Sequence, residues 1–198
     1  MVIKVHGIPL STCTARVLLC LCEKGLQYEL VPVDPFGQIA ALEDGDVKIF
    51  ESRAICKYLA RKYNETRITI DLLGSNGSGV SPIQSSNQAL IRQMIVNPIY
   101  GIAPDEKIIE IELHNLAKVL DVYEERLSEY KYLGGDFYSM ADLHHIPDLV
   151  YFMRSSKSSI VTSRPCVNAW WNDISSRPAS VKVVELMKLK ILFSFDDI

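Results

Sequence analysis

Two serines stand where helices would begin. Ser11, within Gly7-Ile8-Pro9-Leu10-Ser11-Thr12-Cys13, precedes the apolar run Val17-Leu18-Leu19, and Ser52, within Phe50-Glu51-Ser52-Arg53, precedes Ala54, Ile55, Tyr58 and Leu59. A serine oxygen at such a position can accept a backbone N–H, and the unpaired N–H groups of a first helical turn bind anions. Cys13 lies near the first of these helix starts, where a thiol can be shifted toward thiolate and enter disulfide exchange. Free cysteine is also among the most buried residue types, and burial is the expected use. His144-His145 invites a metal reading, but adjacent helical residues do not share a face, so the pair is read as helix residues near a cap. Cys13, Cys20, Cys22, Cys56 and Cys166 show neither C-x-x-C nor zinc spacing, so reduced thiols and no metal are expected.

The elements that must position these residues can be read from hydropathy and turn signals. Val2 to His6 has a strand pattern, Arg16 to Lys24 a helical one stopped by Gly25, and Tyr28 to Val33 a second strand, together a β-α-β unit. Short apolar segments at Ala40 to Glu43 and Val47 to Phe50 flank Asp44-Gly45-Asp46, where glycine supplies the positive φ of a hairpin turn. A helix is expected over Ser52 to Lys62, and flexible Gly74-Ser-Asn-Gly-Ser-Gly79 marks a linker. From Pro104 the chain is helical, with Ile109, Leu113, Leu116, Leu120, Tyr123 and Leu127 on one face. Ser139 and Asp142 have capping-box spacing, a folding signal, and Trp170-Trp171 is expected in packing. The expected partition is a sheet-containing domain over 1–63, a linker over 64–81 and an all-helical domain over 82–198.

Composition narrows the function classes. The 198 residues are 48% apolar with a net charge of −3, enough for a sizeable core and without the basic block of a nucleic-acid footprint. No apolar run approaches the ~20 residues that cross a bilayer, and Met1-Val-Ile-Lys-Val-His is a strand pattern rather than a signal peptide. A soluble globular protein of the cytosol is expected.

Pro35-Phe36-Gly37-Gln38, Leu42-Glu43-Asp44-Gly45-Asp46 and Phe50-Glu51-Ser52-Arg53-Ala54-Ile55, with Ser11 ahead of Arg16-Val17-Leu18-Leu19, resemble the glutathione-binding half of plant phi-class glutathione transferases. Leu116 to Glu124, Tyr132 to Asp136, Ala141 to Pro147 and Trp170 to Pro178 resemble that family's helical half. The resemblance implies a thioredoxin-like domain followed by a helical-bundle domain, a homodimer, and conjugation of glutathione to hydrophobic electrophiles. It makes Ser11 the hydrogen-bond donor that stabilises the glutathione thiolate. It assigns Thr12, Gln38, Ile39, Glu51 and Ser52 to glutathione binding, with Glu51 and Ser52 at the γ-glutamyl end and Ile39 acting through its main chain.

Two departures from the family pattern stand out. Ala40 occupies the position of a cis-proline, and a trans bond is expected there because a non-proline cis bond costs ~2.5 to 4 kcal/mol. Val33-Asp34 runs directly into Pro35-Phe36, where the family inserts a loop with a His-Lys pair that holds the glycyl carboxylate. The segment Ala89 to Asp105 is also shorter than the family helices lining the electrophile pocket. These departures motivate two alternatives: a non-catalytic, ligand-binding relative, and a glutathione-dependent thiol transferase using Cys13.

Overall fold

The computed structural model describes residues 2–33, 40–63 and 82–187. In chain order the elements are β1 (Ile3–His6), α1 (Thr12–Glu23), β2 (Tyr28–Val31), β3 (Ala41–Asp44), β4 (Val47–Phe50) and α2 (Ser52–Lys62). They continue with α3 (Pro82–Ile91), a π-helical segment (Arg92–Val96), α4 (Asn97–Ile99), α5 (Glu106–Glu129) and α6 (Met140–Leu143). The last are α7 (Ile146–Phe152), α8 (Ser159–Thr162), α9 (Pro165–Ser176) and α10 (Pro178–Leu186). By their contacts the described residues form two units, one of 2–33, 40–63 and 177–187, the other of 82–176. The expected all-helical domain spans 82–198, whereas α10 groups with the sheet unit. The expected linker, 64–81, lies outside the described residues.

In the first unit the sheet order is β2-β1-β3-β4, with β2 parallel to β1 and β3 antiparallel to it on the other side. Val5, wholly buried, pairs with Leu30 on one flank and Leu42 on the other. The hairpin closes with Asp44 opposite Val47, and the positive φ falls on Gly45 (+65°), the first of the two turn residues. Helix α1 starts four residues before the expected Arg16, because the polar stretch Thr12-Cys13-Thr14 hides its first turn from a hydropathy pattern. Its Val17, Leu18, Leu19 and Leu21 are fully buried and face a core that includes Ile55 and Leu59 of α2.

Two buried charges tie down the far end of α1. Glu23 is the last residue of that helix and 6% exposed, where the negative end of the helix dipole disfavours a carboxylate. The Arg177 guanidinium compensates with two hydrogen bonds, Nε to Oε1 at 2.6 Å and NH2 to Oε2 at 3.0 Å, which fasten the start of α10 to α1. The adjacent Lys24 Nζ donates to the Tyr63 carbonyl at 2.8 Å, just past α2, and burial lowers its pKa below the usual lysine value. On the neighbouring hairpin, Asp44 accepts from Tyr58 Oη, Lys62 Nζ and Tyr63 Oη. Burial pushes its carboxyl upward, but these donors outweigh it and leave the group below its ordinary value.

The second unit is organised around α5, whose Ile109, Leu116, Leu120 and Leu127 are buried, as the periodicity predicts; Leu113 and Tyr123 are half-buried. Asp105 caps this helix by accepting from the Lys107 and Ile108 amides. The capping box at Ser139 and Asp142 is present, and Asp142 does more than cap. Its fully buried carboxylate accepts from the Ser139 amide and hydroxyl, the Leu133 amide and Trp170 Nε1, all at 2.8 to 2.9 Å. Glu124 of α5 accepts from the Cys166 and Val167 amides and so serves the first turn of α9. Trp170 and Trp171 are core residues, 3% and 8% exposed. No described helix is long and apolar enough to cross a membrane.

The Glu23–Arg177 pair yields a stability test. Removing one partner from a largely buried pair strands the other, so Glu23→Ala or Arg177→Ala is expected to lower unfolding free energy by about 3 kcal/mol in urea denaturation. The double variant Glu23→Gln/Arg177→Met should lose less than either single change, and equal or additive losses would contradict a direct pairing.

Candidate functional site

The chain leaves β1 through Gly7, whose amide donates to the Val31 carbonyl at 3.1 Å. A Cβ on Gly7 would stand 2.3 Å from Thr14 Oγ1, so only glycine lets the first turn of α1 lie this close to the strand end. Ser11 then occupies the N-cap in extended conformation (φ −72°, ψ 127°), and its carbonyl accepts from the Ala15 amide at 2.9 Å. Its hydroxyl makes no cap hydrogen bond. A purely structural serine would spend its hydroxyl on the first-turn amides, and this one does not. Thr12, half-buried, is the first residue of α1.

The second helix start is reached through a strained residue. Glu51 has φ +70° and ψ 110°, the one positive φ outside glycine among the described residues. Such a conformation costs a side-chain-bearing residue roughly 1 to 3 kcal/mol and persists where its surroundings enforce it. Here it turns the chain from β4 directly into α2, leaving the Glu51 side chain exposed and Ser52, 5% exposed, at the first helical position. The Glu51 carbonyl accepts from the Ile55 amide at 2.9 Å, while its side chain makes no cap bond.

These two helix starts lie at one edge because α1 and α2 run parallel. Three contacts climb both helices in step: Arg16 NH1 to Ser52 Oγ at 2.9 Å, Cys20 Sγ to the Cys56 carbonyl at 3.9 Å, and Lys24 Nζ to the Tyr63 carbonyl at 2.8 Å. Matching residues thus rise together from the N-terminal to the C-terminal ends. The two positive dipole ends converge, and neither helix has an acidic residue in its first turn to neutralise them. The arrangement suits an external anion, with hydroxyls at Ser11 and Ser52 available beside backbone donors.

Arg16 joins the two ends. It is 1% exposed, and its NH1 reaches Ser52 Oγ and also lies 3.8 Å from Cys13 Sγ. Sequence reasoning named Arg16 only as part of a motif; the available signal was an arginine inside the otherwise apolar helical run Ala15-Arg16-Val17-Leu18-Leu19. Cys13 is half-buried, whereas Cys20 and Cys56 are fully buried between the helices. The Cys20 thiol is pushed well up, first by its contact with Cys56 and then by burial. His145 is a core residue rather than a ligand. Its Nδ1 faces the Ala141 carbonyl at 2.5 Å and so carries the proton, and Nε2 at 3.1 Å accepts from the Tyr123 hydroxyl. The described residues contain no group of three His, Cys, Asp or Glu side chains placed to hold a metal.

The structure therefore brings Ser11 and Thr12 to the same edge as Glu51 and Ser52. Gln38 and Ile39 lie outside the described residues, as does the bond that joins Ile39 to Ala40; Ala40 itself is 4% exposed, just ahead of β3. Strain at Glu51 is directly testable. Glu51→Gly should raise the unfolding free energy by about 1 kcal/mol, since glycine adopts this φ without steric cost. A loss of stability in thermal unfolding would show that the conformation is not strained.

Comparison with known proteins identifies the family and the fold. The family model "Glutathione S-transferase, N-terminal domain" matches residues 1–61, and "Glutathione S-transferase, C-terminal domain" matches 88–178. Glutathione S-transferase F13 of Arabidopsis thaliana is 43% identical, with 92% of this chain and 95% of that protein covered. Its alignment spans 208 positions, more than the 198 residues here, so the relative carries segments without a counterpart in this chain. Glutathione S-transferase APIC of Nicotiana tabacum is 41% identical, with 95% and 100% covered. Among solved structures, glutathione transferase F7 from Populus trichocarpa superposes with a TM-score of 0.82 at 44% identity, covering 94% of this chain and 100% of that one. Glutathione S-transferase I from mais, in complex with an atrazine glutathione conjugate, gives 0.85 at 34% identity, covering 96% and 100%. With identity above 40% to full-length relatives and both halves matched, the chain belongs to the glutathione S-transferases, in the plant phi class.

Proposed function

We propose that this transferase activates glutathione at the α1 N-terminus and adds it to electrophilic small molecules. The observation that carries the reading is the parallel alignment of α1 and α2, which turns two helix starts toward one edge. The separation suits the ligand. From the level of Ser52 to that of Ser11 is five residues, ~7 Å of helix, and packed helices are ~9 Å apart, so the two sites stand on the order of 11 Å from each other. In glutathione about eight covalent bonds separate the sulfur from the γ-glutamyl carboxylate carbon, ~10 Å when extended.

In this reading Ser52 and the first-turn amides of α2 hold the γ-glutamyl α-carboxylate, and the exposed Glu51 carboxylate takes the ammonium group beside it. Gln38 and Ile39 bind the cysteinyl segment, Ile39 through its main chain as an added strand, and Thr12 lies beside Ser11 next to the sulfur. The Ser11 hydroxyl donates to the sulfur. A donor there favours thiolate over thiol, the helix dipole acts in the same direction, and the thiol proton leaves to water. The sulfur electron pair then forms the new S–C bond. The electrophile expels its leaving group with the bonding pair, or, when it is an activated double bond, takes a proton from water.

The same resemblance supports a detoxifying enzyme of the cytosol that works as a homodimer. Phe50 and Tyr100, 62% and 69% exposed, are apolar surface that self-association would cover. The alternatives of a non-catalytic relative or a Cys13 thiol transferase are not favoured, since curated relatives at 43% and 41% identity carry the transferase name. Ser11→Ala tests the assignment. Its kcat for conjugation at neutral pH is expected to fall about 10²-fold, and its pH–rate profile to move alkaline by about two units, with little change in the KM for glutathione. An unchanged profile would remove Ser11 from the role of thiolate donor.

A further inference from the structure

The geometry points to Arg16 as a positioning residue that holds Ser52, the first residue of α2, as a dedicated hydrogen-bond donor for the ligand carboxylate. This rests on the reading of the α2 N-terminus as the carboxylate site. A serine hydroxyl has one proton to give and two lone pairs to offer, so what engages its oxygen decides where its proton can go. Here Arg16 NH1 donates to Ser52 Oγ at 2.9 Å from inside the protein, with both residues at least 95% buried. With its oxygen engaged from behind by a cation, the hydroxyl has its proton free to point outward. Accepting a charge-assisted hydrogen bond also polarises the O–H bond and makes it a stronger donor to an anion.

Four further features support this role. An arginine is a costly way to fill an apolar helix interface, where Val17, Leu18 and Leu19 already do so. Its reach along the α1 surface brings the guanidinium, rather than the aliphatic stem, to the first residue of α2. The strained φ of Glu51 fixes the backbone immediately before Ser52, so the hydroxyl is held from two sides, by the turn and by the guanidinium. Cys56 Sγ contacts the Arg16 carbonyl at 3.7 Å, which anchors the same turn of α1 against α2.

The test is a double-mutant cycle on glutathione affinity with the full chain, measured by titration calorimetry. Ser52→Ala and Arg16→Met are each expected to weaken glutathione binding about tenfold, and the double variant about tenfold as well, because Arg16 acts through the hydroxyl that Ser52→Ala removes. Arg16→Gln keeps a neutral N–H donor on a shorter side chain and should fall between wild type and Arg16→Met. At saturating glutathione its kcat should stay within about threefold of wild type, so that the defect appears in KM; a merely structural lesion would not divide in this way. If Arg16→Met fails to fold, Arg16→Gln replaces it in the cycle, with the same coupling expected. Losses that multiply to about a hundredfold in the double variant, or an unchanged affinity in Arg16→Met, overturn the inference. Wild-type protein that binds no glutathione overturns the reading beneath it instead, so the two failures are distinguishable.

Discussion

The parallel packing of α1 on α2 is the constraint from which the site follows. Two helices aligned this way bring like dipole ends together, which is electrostatically unfavourable, and the burial of Leu18, Leu19, Ile55 and Leu59 must offset it. The charges around the pair are distributed to match. At the C-terminal ends Lys24 donates to the Tyr63 carbonyl, Arg61 and Lys62 occupy the last turn of α2, and Arg177 neutralises Glu23. At the N-terminal ends the first turns carry no acidic residue. One end of the helix pair is thus electrically satisfied by side chains of the protein, and the other carries the backbone N–H groups of two first turns with no acidic residue in either.

The helical unit shows a different use of buried polarity. Asp142 collects four hydrogen bonds from three segments, and His145 links the Ala141 carbonyl to Tyr123 while its ring meets Tyr123 and Trp170 edge to face. These contacts tie α5, α6 and α9 to one another and specify how they assemble. Ser11 differs in that its hydroxyl makes no cap bond.

Much of the local structure was legible in the residues. Gly45 announced the hairpin, the Ser52 to Lys62 helix matches its expected bounds, and the Ser139 capping box is where its spacing put it. These features depend on near neighbours in the chain. What escaped depends on distant ones. The start of α1 was hidden by Thr12, Cys13 and Thr14, whose polarity reflects a helix end rather than a loop. The return of α10 to the sheet unit is decided by Glu23 and Arg177, far apart in sequence, and no periodicity reveals that pairing. Arg16 escaped because hydropathy reads arginine as surface, and its burial is intelligible only once Ser52 is opposite it. Glu51 gave no warning of its positive φ, since that conformation is imposed by β4 and α2 on either side. The candidate site residues Ser11, Glu51 and Ser52 rest on the family resemblance, while the physical reasons for their placement required the fold.

The most direct test of a site built from two helix starts is a crystal structure of the protein with glutathione bound. The account predicts one tripeptide spanning the edge, its γ-glutamyl carboxylate on the Ser52 hydroxyl and the first-turn amides of α2, and its sulfur within hydrogen-bonding distance of Ser11 Oγ. A peptide bound elsewhere, or bound at this edge with its sulfur turned away from Ser11, would contradict it.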